Sequence, residues 1–500
     1  MPPMTLTVDD EAGTARLAED LAMILRAGDV VAFSGDLGMG KSAFARALLR
    51  ALADDPGLEA PSPTFTLVQT YELPGLTVSH FDLYRLGDPG ELTEIGLDDA
   101  IRQGAVLVEW PERAGGALPP STLHVDIAEG DAPNARSFTI DGDGAAWADR
   151  LDRTIAIRRM LGDLSPEPAA RRRMAGDASS RRYERVRQGA ERRVVMDWPR
   201  AAPQPPLLDG LSYPRLVHVQ DDPLAFVAVS EMLRSAGFVA PLVQAADRGA
   251  GLIVMEDLGR DALVGGGAPV SERFVTAAAV LAEKDDTQFP AAVDVKGMGR
   301  WEIPRFDARA MLVELSLLPD WFLPLEAGTQ TDPADRAAFL DHWAPLVELV
   351  GRLPQGLVLR DAIAANLVWR PRGKGRARIG FLDFQDAMIG PAAYDIMSLT
   401  TDVRLDLPPD LVAATMEAYR SARTSRDPAF DGAAFELAMA LTSAQRNSKI
   451  LGGFARLAMR DGKRGYLAHL PLARRRVAAA LSHPVLRPVR VWYEQRRIVR

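Results

Sequence analysis

Between the apolar run "VVAFS" (residues 30–34) and the helix-spaced stretch "AFARALLRAL" (residues 43–52) stands "GDLGMGKS", residues 35–42. Glycines at 35, 38 and 40 let the backbone curl so that several N–H groups converge. The following helix adds the positive end of its dipole, and Lys41 reaches outward. Phosphate is the ligand that such a cradle serves, and Gly35, Gly40, Lys41 and Ser42 complete the G-x-x-x-x-G-K-S spacing. The setting agrees: Val30 to Ser34 reads as a buried strand, and Phe44, Leu48 and Leu52 recur at helical spacing. Lys41 is the only lysine before Lys284 in an arginine-preferring chain, so this position calls for an ammonium group and not for any cation.

A chain of 500 residues is expected to hold two or three domains. It contains no cysteine, which excludes disulfides and thiolate metal sites and fits a reducing compartment. Its acidic opening lacks the features of a signal peptide, and no apolar run approaches a membrane span, so a cytoplasmic protein without membrane partners is expected. Residues 1–150 hold 25 Asp and Glu against 10 Lys and Arg, a net charge of −15. Such a surface repels a polyanion, so any RNA must be held by partners. An arginine-rich helical stretch broken by prolines marks a junction near residues 145–165, giving domains over 1–150 and 160–500. The basic tail "RPVRVWYEQRRIVR" reads as a solvated terminal helix.

Three further stretches of the first half carry carboxylates or hydroxyls at strand ends: "PSPTFTLVQTY" (61–71), "HFDLYRL" (80–86) and "AVLVEWPER" (105–113). Phosphoryl transfer requires Mg²⁺ on the β and γ oxygens, held by the loop hydroxyl and by acidic strand ends, and Ser42, Asp82 and Glu109 suit those roles. In this order the motifs resemble the TsaE family of ATPases from the tRNA threonylcarbamoyladenosine system, over about residues 5–145. The resemblance implies an α/β P-loop domain that binds and hydrolyses ATP while docked on a TsaB–TsaD pair, meeting tRNA only through those partners. It also implies that Thr64 lies in a switch-like segment, that Asp82 and Glu109 form the Mg²⁺ and hydrolysis site, and that Trp110 flanks it.

The second half contains "VLRDAIAANLVWRPRGKGRARIGFLDFQDA", residues 358–387. Asp361 is followed by Asn366, two short strands turn at "PRGKGR", and the second delivers Asp383. In a kinase-like fold the first aspartate orients or deprotonates the acceptor hydroxyl, and the asparagine and second aspartate bind the metals. "GDASSRRYERV" (176–186) before the strand "RRVVMDWP" reads as a nucleotide-covering loop, and "GLIVMEDLG" (251–259) as a strand ending in a hinge. There the backbone of Glu256 and Leu258 would pair with adenine. With no lysine in this small lobe, Arg181, Arg182 or Arg192 would hold the phosphates.

These stretches, with "LPDWFL", "DFQDAMIGPAAYDIMSL" and "AQRNSKILGGFARLAMRDGKRGYLAHLP", resemble the aminoglycoside-phosphotransferase-like sugar kinases of the AmgK type over about residues 160–475. The resemblance implies an α+β two-lobed domain that uses ATP to phosphorylate the anomeric hydroxyl of N-acetylmuramate or N-acetylglucosamine in peptidoglycan recycling. Where that family carries an aromatic, a histidine and an acidic residue, this chain has Ala362, Ile363, Ala364 and Ala365. That departure leaves two alternatives: a pseudokinase scaffold, or a kinase for another hydroxyl substrate such as an aminoglycoside or an amino alcohol.

Overall fold

The computed structural model describes residues 3–142, 145–174 and 181–499. The chain forms two compact units, Met1–Pro199 with Gln244–Asp257 and Arg200–Val243 with Leu258–Arg500.

The first unit opens with β1 (Met4–Val8), α1 (Glu11–Ile24), β2 (Val30–Ser34), α2 (Lys41–Ala53), β3 (Val68–Leu73) and β4 (Leu76–Asp82). It continues with α3 (Glu91–Glu94), α4 (Leu97–Gln103), β5 (Ala105–Glu109), β6 (Leu123–Glu129) and β7 (Arg136–Gly142). The strands form one sheet in the order β1-β7-β6-β2-β5-β4-β3. Its centre is parallel, β2 lying between β5 and β6 with β4 beyond β5, and its edges are antiparallel. β2 is apolar on both faces because both are covered. Val31 and Phe33 pack with Phe44 and Leu48 of α2, whereas Val30 joins Phe81, Val106 and Val108 on the other side.

The junction inferred near residues 145–165 is a single helix, α5 (Ala145–Leu164). It leads into β8 (Ala169–Arg173), β9 (Arg182–Gln188) and β10 (Glu191–Asp197), which join strands Leu252–Glu256 and Val243–Asp247 in a five-stranded sheet. Ile157 and Leu161 of α5 pack on Val186, Val195, Leu252 and Val254 of that sheet. Asp20 of α1 ties the two sheets together, accepting hydrogen bonds from Arg158 of α5 and Arg171 of β8, while Arg171 also grips Glu184 of β9 at 2.7 Å.

The second unit is mainly helical. The expected hairpin is present, Leu367–Trp369 pairing antiparallel with Ile379–Phe381. The helix Gly432–Arg460 passes so close to the helix Ala308–Leu317 that a Cβ on Gly452 would lie 2.2 Å from the Leu317 carbonyl carbon. Glycine there lets the two helices approach this closely. The basic tail differs from the expectation. Arg487–Gln495 is a helix, but Val489, Trp492 and Tyr493 are buried, with Trp492 4.5 Å and Tyr493 5.9 Å from the Phe339 ring. Its apolar residues fall on one face, and burying two aromatics outweighs the solvation of its arginines.

Candidate active sites

The first site lies where the C-terminal ends of β2, β4 and β5 meet the N-terminus of α2. Gly35, Gly38 and Gly40 all adopt positive φ, 128°, 87° and 107°. A Cβ on Gly35 would lie 2.3 Å from the Ile127 carbonyl oxygen, so only glycine fits there. Lys41, almost wholly buried, donates to the carbonyl oxygens of Gly35 (2.6 Å) and Asp36 (3.0 Å), and its ammonium lies 3.6 Å from the centre of the Trp110 ring. Burial lowers its pKa against the pull of Glu109 and Glu112. Trp110 itself adopts φ 60°, and its ring packs on Tyr84 at 5.1 Å.

Parallel pairing sets Asp82 of β4 level with Glu109 of β5. Ser42 Oγ donates to Glu109 Oε2 at 2.7 Å. Asp82 Oδ2 accepts from Ser62 Oγ (2.5 Å) and Thr64 Oγ1 (2.6 Å), so the switch-like segment is tied to the strand-end carboxylate. Gly35, Gly38, Gly40, Lys41, Ser42, Thr64, Asp82, Glu109 and Trp110 are thus gathered in one place. Sequence reasoning missed His80, whose Nε2 stands 2.9 Å from Glu109 Oε1 while its Nδ1 is buried without a partner among the described residues. The signal was present in "HFD": residues two apart on a strand share a face.

The second site belongs to the second unit. Asn366 Nδ2 donates to the Asp361 carbonyl oxygen at 2.9 Å and faces Asp383 Oδ2 at 3.4 Å, so the three residues converge. Gln385 Nε2 donates to Asp383 Oδ1 at 3.1 Å. Asp383 and Arg360 both adopt left-handed backbone, φ 56° and 73°, a costly conformation for residues with a Cβ that persists only where the surrounding structure holds it. Asp395 holds the loop from beneath, accepting the backbone N–H groups of Leu359 and Arg360, and Lys284 Nζ donates to it at 2.7 Å.

Arg446 and Lys449, on the long helix, were not singled out in the sequence although their segment was. Arg446 donates to Asp361 Oδ1 at 2.9 Å, and Lys449 pairs with Glu314 at 2.8 Å. Burial raises the Asp361 pKa, but Arg446, Lys449 and Arg360 outweigh it and bring the carboxyl down to about 2. Of the four residues at the departure, Ala362, Ile363 and Ala364 are buried and only Ala365 is exposed. Leu258 packs on Gly380 in this unit.

Arg181, Arg182, Arg192 and Glu256 lie in the first unit. Glu256 pairs in register with Arg193, Arg182 stands 3.5 Å from Asp197, and Arg192 lies opposite Arg187. Residues 176–180 of the stretch read as a nucleotide-covering loop lie outside the described residues.

Both sites offer hard oxygen donors from carboxylates, an amide and a hydroxyl, the chemistry that suits Mg²⁺ shared with phosphates.

The family model "Threonylcarbamoyl adenosine biosynthesis protein TsaE" matches residues 8–138, and "Phosphotransferase enzyme family" matches residues 171–430. The chain is 32% identical over 337 residues to an N-acetylmuramate/N-acetylglucosamine kinase of Caulobacter vibrioides, an alignment covering 65% of this chain and 91% of that protein. It is 31% identical over 340 residues to one of Pseudomonas aeruginosa, covering 65% and 87%. It is also 37% identical over 121 residues to the tRNA threonylcarbamoyladenosine biosynthesis protein TsaE of Rickettsia conorii, covering 24% of this chain and 69% of that protein. The chain therefore belongs to two families at once, an enzyme in which a TsaE-type P-loop ATPase domain is fused to a phosphotransferase-family kinase domain of the N-acetylmuramate/N-acetylglucosamine kinase group.

Proposed function

We propose that residues 1–150 hydrolyse MgATP in support of tRNA threonylcarbamoyladenosine formation, and that residues 160–500 transfer the γ-phosphoryl group of ATP to the anomeric hydroxyl of N-acetylmuramate or N-acetylglucosamine. Both reactions take place in the cytoplasm.

In the first domain Gly35, Gly38 and Gly40 present the loop N–H groups to the phosphates, and Lys41 leaves its own loop carbonyls to neutralise the outer phosphates. Ser42, Asp82 and Glu109 would hold Mg²⁺, which would neutralise charge on the phosphates. Glu109, oriented by His80 at 2.9 Å, also orients the attacking water. Thr64 couples nucleotide to the switch segment, and Trp110 shields the lysine. The partners of this domain are a TsaB–TsaD pair. Exposed Leu37, Phe65 and Tyr84 on the loops around the site support that reading, and the acidic surface leaves tRNA to the partners.

In the second domain Asp361 aligns the acceptor hydroxyl, and Asn366 and Asp383 would hold the metal ion. With a pKa of about 2, Asp361 is a weak base, so its main service is orientation, the proton leaving late in a loose transition state. The convergence of Asp361, Asn366 and Asp383 carries this reading. Incubating the full chain with ATP and N-acetylmuramate, N-acetylglucosamine, an aminoglycoside or an amino alcohol tests it. A sugar 1-phosphate is the expected product, and transfer to none of the four would overturn the reading.

A further inference from the structure

The first unit encloses a cavity of ≈ 260 Å³ that neither proposed reaction uses. Seven of its lining residues are arginines, and only Glu184 and Asp197 among them are acidic. The neighbouring carboxylates are already engaged. Glu184 and Asp20 pair with Arg171, Asp197 with Arg153, and Asp29 with Arg150 at 2.6 Å.

Two guanidinium groups are left over. Arg173 Nη2 donates to the carbonyl oxygens of Met23 (2.6 Å) and Leu25 (3.2 Å), and its guanidinium forms no ion pair among the described residues. Arg26 stands exposed on the turn after α1 with no ion pair among the described residues. Arg182 faces both from β9, where it shares Asp197 with Arg153. Desolvation and the repulsion of Arg182 lower the pKa of Arg26 and of Arg173, opposed by Asp29 at Arg26 and by Glu184 at Arg173. Like charges that outnumber their carboxylates in a cavity are unfavourable, and the guanidinium fork matches phosphate oxygens in two-point contact.

The strand register separates this cavity from the opposite face of the small sheet. Arg182, Glu184 and Val186 alternate along β9 on the side packed by α5, with Asp197 and Val195 beside them on β10, whereas Met196 points the other way.

We propose that the cavity is a binding site for a phosphate group, free or esterified, held by Arg26, Arg173 and Arg182. An occupant joins the end of α1 in the ATPase domain to β9 in the small lobe of the kinase, and so stiffens the junction between the two activities.

Calorimetric titration of the full chain carrying Lys41→Ala, in EDTA, excludes the P-loop and metal-dependent nucleotide binding. The probes are orthophosphate, diphosphate and glucose 1-phosphate. At least one is expected to bind saturably with one site per chain, the tightest of the three identifying free phosphate, a phosphate chain or a phosphate ester as the source. Adding Arg26→Gln or Arg173→Gln should weaken it about tenfold each, the loss of one charge-assisted hydrogen-bonding partner. Arg26 is exposed, so Arg26→Gln tests the site even if Arg173→Gln disturbs the end of α1. No saturable binding by the parent, or equal binding by the parent and the Arg26→Gln variant, would overturn the proposal.

Discussion

Arg446 Nη2 lies 2.9 Å from Asp361 Oδ1, joining the long C-terminal helix to the catalytic loop across 85 residues of sequence. Arg446, with Lys449 and Arg360, outweighs desolvation and brings the carboxyl down to about 2. It also fixes the side chain that must meet the acceptor hydroxyl. The depressed pKa contributes stability above the unfolded value of about 3.9 and loses it as pH falls toward the folded value.

Replacing Arg446 with methionine should therefore raise the Asp361 pKa toward the ordinary carboxylate range. In the parent, the acidic limb of kcat/KM for sugar phosphorylation is expected to stay flat down to the lowest pH at which the fold survives. In Arg446→Met it should rise into the range of about 4 to 5. Identical profiles for the two proteins would refute the assigned coupling.

Asp361→Asn and Asp383→Ala should separate two roles. The first substitution removes the group that aligns the acceptor, so transfer should drop by about 10² to 10⁴ with ATP affinity nearly unchanged. The second removes a proposed metal ligand and should weaken binding of nucleotide in the presence of Mg²⁺. Equal, non-zero sugar 1-phosphate from the parent and Asp361→Asn would contradict the role given to Asp361.

Lys41→Ala should abolish hydrolysis in the ATPase domain without unfolding it, because electrostatic stabilisation of the outer phosphates dominates this chemistry. ATP turnover by the full chain with the proposed TsaB–TsaD partners, in the absence of sugar, is expected to fall by orders of magnitude. Sugar phosphorylation by the same variant should be retained.

Lys284→Met should be among the most damaging substitutions in the kinase domain. Lys284 is wholly buried and pairs with Asp395 at 2.7 Å and Asp285 at 2.6 Å. Removing it leaves uncompensated buried carboxylates, a loss of about 3–5 kcal/mol. The same Asp395 accepts the N–H groups of Leu359 and Arg360, so the catalytic loop should loosen with it. Chemical denaturation with an unshifted midpoint would show that the pair carries no such load.

The local features were legible in the residues themselves. The strand over Val30–Ser34, the glycine loop and the helix from Lys41 follow from an apolar run, a turn that needs positive φ and a 3.6-residue period. The hairpin that delivers Asp383 follows likewise from two short apolar runs around "PRGKGR". Each depends on sterics and hydrogen bonds within a few neighbours, which sequence order preserves.

Tertiary structure decided which side chains meet. Ser42 and Glu109 are 67 residues apart, Lys284 and Asp395 111, and Asp20 and Arg171 151. None of these pairs has a period to reveal it, because strand register and helix packing select the partner from many chemically equivalent aspartates, glutamates and arginines. The same holds for the C-terminal helix: its charge suggested solvent, and tertiary partners such as Phe339 and Ser448 made burial of Trp492 and Tyr493 more favourable. The arginine cavity is the furthest from the sequence. Arg26, Arg173 and Arg182 come from a turn and two strands and are ordinary surface cations until the fold brings them together with too few carboxylates to balance them.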